Sequence, residues 1–201
     1  MEINTNLYSV IHIGYASTEV FSKVISKRKD YLLMPLPNAF DANEIFVLIC
    51  IIVFYSVFFM LPKRIPWSIT IILMLFGILL ARFADHLMAG PSINFYDIMD
   101  WDKYELFDVL LYLLYAPFAY FFLYLYERLH IRGFFIPIFI VLFSIFAIVF
   151  EWINVLFGVF HYKNWELRYS VSVYLLAQVT LLLFYQILKH KYNKELTNFR
   201  E

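Results

Sequence analysis

The chain has 201 residues, of which 63% are apolar, 21% aromatic and only 16% charged. A soluble domain is about half apolar and about a quarter charged, so the composition points to a membrane protein. Sixteen bases against sixteen acids and a single cysteine exclude a basic nucleic-acid-binding protein and a disulfide scaffold.

The amino-terminal MEINTN carries an acid and no basic stretch, so a cleaved secretory signal is not expected. Residues 7–25 are too polar to span and are followed by KRKD. They read as an interfacial helix, with a flexible terminus as the alternative; residues 1–42 form this amino-terminal segment. Five apolar runs follow at about 45–61, 66–88, 106–126, 133–157 and 169–188. A helix needs about 17–25 apolar residues to cross the hydrocarbon core. Backbone groups in lipid must bond within their own segment, and none of the runs alternates, so helices are expected rather than a barrel. The fold class is all-α: a five-span transmembrane bundle over residues 43–190, with a cytoplasmic tail at 191–201. Short connections make successive helices antiparallel neighbours. Cys50 lies in the first run with no base nearby, so it is not expected to be a nucleophile.

Basic residues in short loops set orientation. One face holds Lys63, Arg64, Arg128, Arg132, Lys189, Lys191, Lys194 and Arg200. The other holds Lys103, Lys163 and Arg168. The first face should be cytoplasmic, with the amino terminus outside and the carboxyl terminus inside. Lys23, Lys27, Arg28 and Lys29 would then lie outside, about 15 residues from the first span, where the rule weakens.

Helix parity puts most of the acids on one side. Asp85, Asp97, Asp100, Asp102, Glu105, Asp108, Glu151 and Glu166 share the outer layer with Arg82, Lys103, Lys163 and Arg168. The inner layer has its eight bases against Glu127, Glu195 and Glu201. Zero net charge is therefore a separation of charge across the membrane.

Glu151 falls in a small and polar stripe with Ser144, Ala147, Asn154 and Gly158, at alternating steps of three and four. Such a stripe is the packing face of a spanning helix. Gly77, Ala81 and Ala84/Asp85 form one on the second span. Asp108, Tyr112, Tyr115 and Ala119 form one on the third, and Tyr174, Gln178 and Tyr185 lie along the fifth. The four stripes could enclose a pocket open to the outer face, with Glu151, Arg82, Asp85, His86, Asp108, Tyr96, Asp97, Tyr162 and Trp165 as its candidate residues. The plainest reading is that Glu151 pairs with Arg82, at similar depth, and locks two helices. A ligand, ion or proton site at the same residues is the functional reading, because ionisable groups inside a span cost free energy. There is no HExxH, and adjacent Asp85 and His86 point about 100° apart on a helix, so neither a metal nor a cofactor is expected. The four tryptophans lie near expected interfaces and read as a belt.

The run FEWINVLFGVFHYKNWELRYS, with LPKRIP, Asp85-His86, Tyr96-Asp97 and Glu105-Leu106-Phe107-Asp108 upstream, resembles a group of small multi-spanning membrane proteins of spore-forming Gram-positive bacteria. The resemblance covers about residues 61–189. It implies a polytopic protein of a bacterial plasma membrane, and no chemistry. A glutamate near a span end followed by aromatics is also faintly similar to membrane carotenoid enzymes such as lycopene cyclases, whose paired acidic motif is absent here.

Three functions remain open. The first is a module binding a small molecule, lipid or ion at the outer acidic and aromatic pocket. The second is an intramembrane enzyme with Glu151 or Asp85 as acid and base. The third is a structural or signalling subunit docking a second copy or another membrane protein. The lipid bilayer is the expected partner in all three. A transporter is less favoured, because no inverted repeat or broken helix pair is visible.

Overall fold

A backbone in lipid has no water to bond to, so each apolar run closes its own i to i−4 ladder. The computed structural model describes residues 40–90, 93–99 and 106–198, and it holds five such helices. They are α1 (Ala42–Met60), α2 (Trp67–Met88), α3 (Leu106–Arg128), α4 (Phe135–Leu156) and α5 (Leu167–Asn198). Each is long and apolar enough to cross a membrane, so the chain is an integral membrane protein of all-α class. Residues 1–39 of the amino-terminal segment, and the acids Asp100, Asp102 and Glu105, lie outside the described residues.

The helix bounds follow local chemistry. Pro62 and Pro66 bracket the α1–α2 link, where the missing N–H groups end one helix and permit the next to start. At the start of α1 the Glu44 carboxylate accepts from the Asp41 backbone N–H at 2.7 Å, as in one half of a capping box. Gly158 follows α4 with φ +73°, the left-handed turn that closes helices and that glycine adopts without strain. Ahead of α4, Gly133 takes φ +55°. The fifth helix runs past the expected span end at 188 to Asn198. No glycine or proline interrupts residues 189–198, and the Lys and Glu residues there are good helix formers.

The third helix is the centre of the bundle. In its most apolar window 61% of residues are buried, against 17–28% in the other four. It packs closely on α2 and on α1. It approaches α2 closely at Gly77, where a Cβ would stand 2.6 Å from the Ala119 Cβ. Successive helices are therefore not uniformly the closest neighbours: α1 packs mainly on α3, and it meets α2 through Phe58 and Trp67 beside their short link. The fifth helix packs on α4 and α2, and the buried Ser144 hydroxyl and Gln178 amide meet at 3.2 Å across the α4–α5 seam. Helices α3 and α4 face each other through rings: Phe118 with Phe150 at 4.8 Å and Phe122 with Phe139 at 5.1 Å. Helices α2 to α5 thus surround a space, and α1 buttresses the α3–α4 side, with Phe54 against both Phe118 and Phe150.

Proline 117 sits inside α3, fully buried. It has no N–H for the carbonyl of Leu113, four residues back. The Tyr55 hydroxyl of α1 donates to that carbonyl at 3.1 Å. A helix defect in α3 is thereby satisfied by its neighbour, as membrane burial requires.

The connections α2–α3 and α4–α5 form a two-stranded antiparallel sheet, β1 (Tyr96–Ile98) with β2 (Phe160–Tyr162). Tyr96 opposes Tyr162, Asp97 opposes His161 and Ile98 opposes Phe160. The Lys163 N–H bonds to the Phe95 carbonyl and the Met99 N–H to the Val159 carbonyl, both at 2.9 Å. By the alternation of an antiparallel ladder, Tyr96 and Tyr162 are then a pair without mutual backbone bonds, in which opposed side chains lie closest. These strands cap one end of the bundle as a lid.

Candidate functional site

A cavity of about 180 Å³ lies among α2, α3, α4, α5 and the lid. Gly77, Ala81, Ala84 and Asp85 face it from α2, and Leu111, Tyr115, Phe118 and Ala119 from α3. Ala147, Glu151 and Asn154 face it from α4, and Ser170, Tyr174 and Gln178 from α5. Tyr96, Tyr162 and Trp165 line its lid end. Small residues on α2 make the room, because a helix that presents Gly and Ala leaves space that larger side chains would fill. The cavity has a polar end and an apolar end. From Asp85 down to Gly77 is eight residues, about 12 Å along the helix, and the lower walls are Phe122, Phe143 and Leu181.

Two buried carboxylates define the polar end. Asp85 is 6% exposed and Glu151 7%. The Tyr96 hydroxyl donates to Asp85 Oδ1 at 2.6 Å. Glu151 Oε1 accepts from the Tyr162 hydroxyl and, at 2.7 Å, from the Ser170 hydroxyl. Trp165 Nε1 donates in turn to Ser170 at 2.9 Å, so the indole orients the serine that holds the acid. Tyr112 stands near Asp85 and Tyr174 near Glu151. The second carboxylate oxygens, Asp85 Oδ2 and Glu151 Oε2, are buried without a hydrogen-bond partner among the described residues, and so is Asn154 Oδ1. The lid phenols feel the arrangement. Burial raises the pKa of Tyr96 above its ordinary value, and the neighbouring Asp85 charge adds to this. Burial also raises that of Tyr162, helped by its bond to Glu151. Both therefore remain neutral donors.

Of the nine candidates from sequence, Glu151, Asp85, Tyr96, Tyr162 and Trp165 meet at this cavity. Four sit elsewhere. Arg82 donates to the Tyr112 hydroxyl at 3.1 Å and lies 5.3 Å from that ring, whereas Glu151 is held by hydroxyls. Asp97 forms an exposed ion pair with Lys163 at 2.7 Å on the outer surface of the lid. His86 is exposed. Asp108 is buried in the first turn of α3, above Leu111, the first α3 residue of the cavity wall. Its carboxylate suits the positive end of the helix dipole. Ser170 is the site residue that sequence reasoning did not single out. Its signal was available: it lies one helical turn before Tyr174, on the stripe that continues to Gln178. Among the described residues no group of three His, Cys, Asp or Glu gathers as a metal centre would require.

The fold and site define a class: an all-helical integral membrane protein with an acid-bearing cavity beneath a lid of two short strands. Comparison with protein families, curated proteins and solved structures finds no match.

Proposed function

We propose that the protein binds a small, largely apolar molecule in this cavity, with the polar end of the molecule held by Glu151 and Asp85. The observation that carries the reading is that two buried carboxylates from different helices face one cavity, each oriented by a tyrosine of the lid. Burying one such group costs free energy, and a bundle that needed only packing would fill the space. At about 180 Å³ the cavity is below the roughly 300–1,000 Å³ of sites for drug-sized ligands, so the ligand is small. The proposal includes the setting: a bacterial plasma membrane, the lid outside, the carboxyl terminus inside, and membership of the small multi-spanning group that the Glu151-Trp152 and Tyr162-to-Ser170 elements resemble.

The test is extraction. Protein purified from membranes in mild detergent is denatured, and released small molecules are identified by mass spectrometry beside an Ala147→Trp variant whose indole fills the cavity. A species present with the wild type and lost in the variant is expected; identical extracts from the two proteins would refute the reading. For orientation, a single cysteine replacing His161 in a Cys50→Ser background should react with a membrane-impermeant maleimide on intact cells. One replacing Arg132 should not.

A further inference from the structure

Resting on that reading, we propose that the molecule held in the cavity is an organic ammonium ion, a small hydrophobic amine whose charged head sits between Asp85, Glu151 and Asn154. Three observations select this class. The first is the set of buried groups left waiting. Among the described residues Asp85 Oδ2, Glu151 Oε2 and Asn154 Oδ1 have no hydrogen-bond partner, and their residues are 6%, 7% and 2% exposed. All three atoms are acceptors and all three residues line the one cavity. An alkylammonium head offers three N–H donors and no acceptor. A carboxylate or phosphate head would bring more acceptors to a site already short of donors.

The second observation is charge. Among the described residues no Lys, Arg or His lines the cavity; Arg82, whose charge reaches Asp85 from outside the lining, donates to Tyr112. Two carboxylates in a low-dielectric space favour a cation strongly. The third is the wall. Tyr115, Tyr162 and Trp165 line the cavity beside the two acids, and ring faces attract ammonium ions. A metal ion fits less well, because hard cations take six or more oxygen ligands and the described residues gather no such cluster. The apolar lower walls then receive the body of the amine.

The experiment compares three heads on one skeleton. Full-length protein in zwitterionic-lipid nanodiscs is titrated calorimetrically with n-hexylammonium, 1-hexanol and hexanoate, and with the matching 2-phenylethyl series, with empty nanodiscs subtracted. The ammonium members should bind at least about tenfold more tightly than the alcohols, as expected for charged against neutral hydrogen bonds, and the carboxylates should not bind. Glu151→Gln and Asp85→Asn should each weaken ammonium binding about tenfold or more and leave alcohol binding within about twofold. The comparison on the unaltered protein stands even if a variant fails to fold. Alcohols binding as tightly as ammonium ions would overturn the assignment while leaving the cavity a ligand site, provided that Ala147→Trp abolishes both. Binding of all three heads that survives Ala147→Trp would instead place them in the lipid, and the cavity reading would fall with the assignment. No binding by either ammonium probe also overturns the assignment; the extraction experiment then decides the cavity reading separately.

Discussion

Tyr96 and Tyr162 oppose each other in the lid with ring centroids 6.5 Å apart, yet they donate to different acids: Tyr96 to Asp85 of α2 and Tyr162 to Glu151 of α4. A three-residue strand pair is too short to be stable alone. It is held because each strand is anchored through a phenol to a helix at its own side of the cavity. The same bonds position the two carboxylates, so lid and acids specify each other.

Replacing either phenol by Phe removes one donor from a buried acid. Leaving such a group unsatisfied costs about 1–3 kcal/mol. The two variants should differ. Glu151 keeps Ser170 when Tyr162 is lost, so Tyr162→Phe should fall near the lower limit and Tyr96→Phe near the upper. Lys163→Ala, which breaks only the exposed pair with Asp97, should cost about 0–1 kcal/mol. Reversible unfolding in mixed micelles ranks the three, and an equal cost for Lys163→Ala and Tyr96→Phe would contradict the anchoring.

The lid phenols also set a base limit. A phenol whose pKa is raised in the fold stays protonated there while the unfolded chain ionises near pH 10. Its contribution is fully present below that value and is lost as pH rises beyond it. The slope is up to about 1.4 kcal/mol per pH unit for each phenol. Unfolding midpoints measured from pH 9 upward should fall more gently in Tyr96→Phe than in the wild type. Parallel slopes would show that Tyr96 titrates normally.

The spanning helices were legible because lipid leaves an apolar run one backbone solution. The stripes of Gly77, Ala81 and Ala84 and of Ala147, Glu151 and Asn154 were legible because small and polar residues at helical spacing must face protein. Arg82 was misjudged because depth gives height and not direction. It is three residues before Asp85, about 60° round the helix, and that turn carries it to Tyr112 on α3. Asp97 is one strand residue from Tyr96 and so points the opposite way. The strands themselves had no sequence signal: three residues cannot show alternation, and Asp97 meets Lys163 across 66 positions of chain.

Gly77 predicts a rescue. A methyl group there meets the Ala119 Cβ at 2.6 Å and the Tyr115 carbonyl at 3.1 Å, both on the central helix. Gly77→Ala should therefore push α2 from α3 and cost about 1–3 kcal/mol, the usual range for overpacking. Ala119→Gly removes the nearer obstacle, so the double variant should recover more than half of the loss. Additive costs in the double variant would mean that the two residues do not limit the approach.

The Tyr55–Leu113 bond gives the last prediction, because its cause is a neighbouring residue. Leu113 needs an outside donor only because Pro117 has no N–H. In the wild-type sequence Tyr55→Phe should cost about 1–3 kcal/mol, as a carbonyl on the exposed side of a spanning helix, where lipid offers no replacement donor, loses its hydroxyl partner. In a Pro117→Ala background residue 117 regains an N–H that can bond to Leu113 within α3, and the tyrosine hydroxyl becomes dispensable. Tyr55→Phe should then cost less than half as much. A double-mutant cycle on unfolding free energies reads this coupling directly. The phenyl ring remains in both backgrounds, so contacts such as that of Tyr55 with Phe58 at 6.3 Å cancel. An unchanged cost in the two backgrounds would show that the bond is incidental to the proline. A coupling of the expected sign would show that α1 is fixed to α3 at a defect the central helix carries in its own sequence.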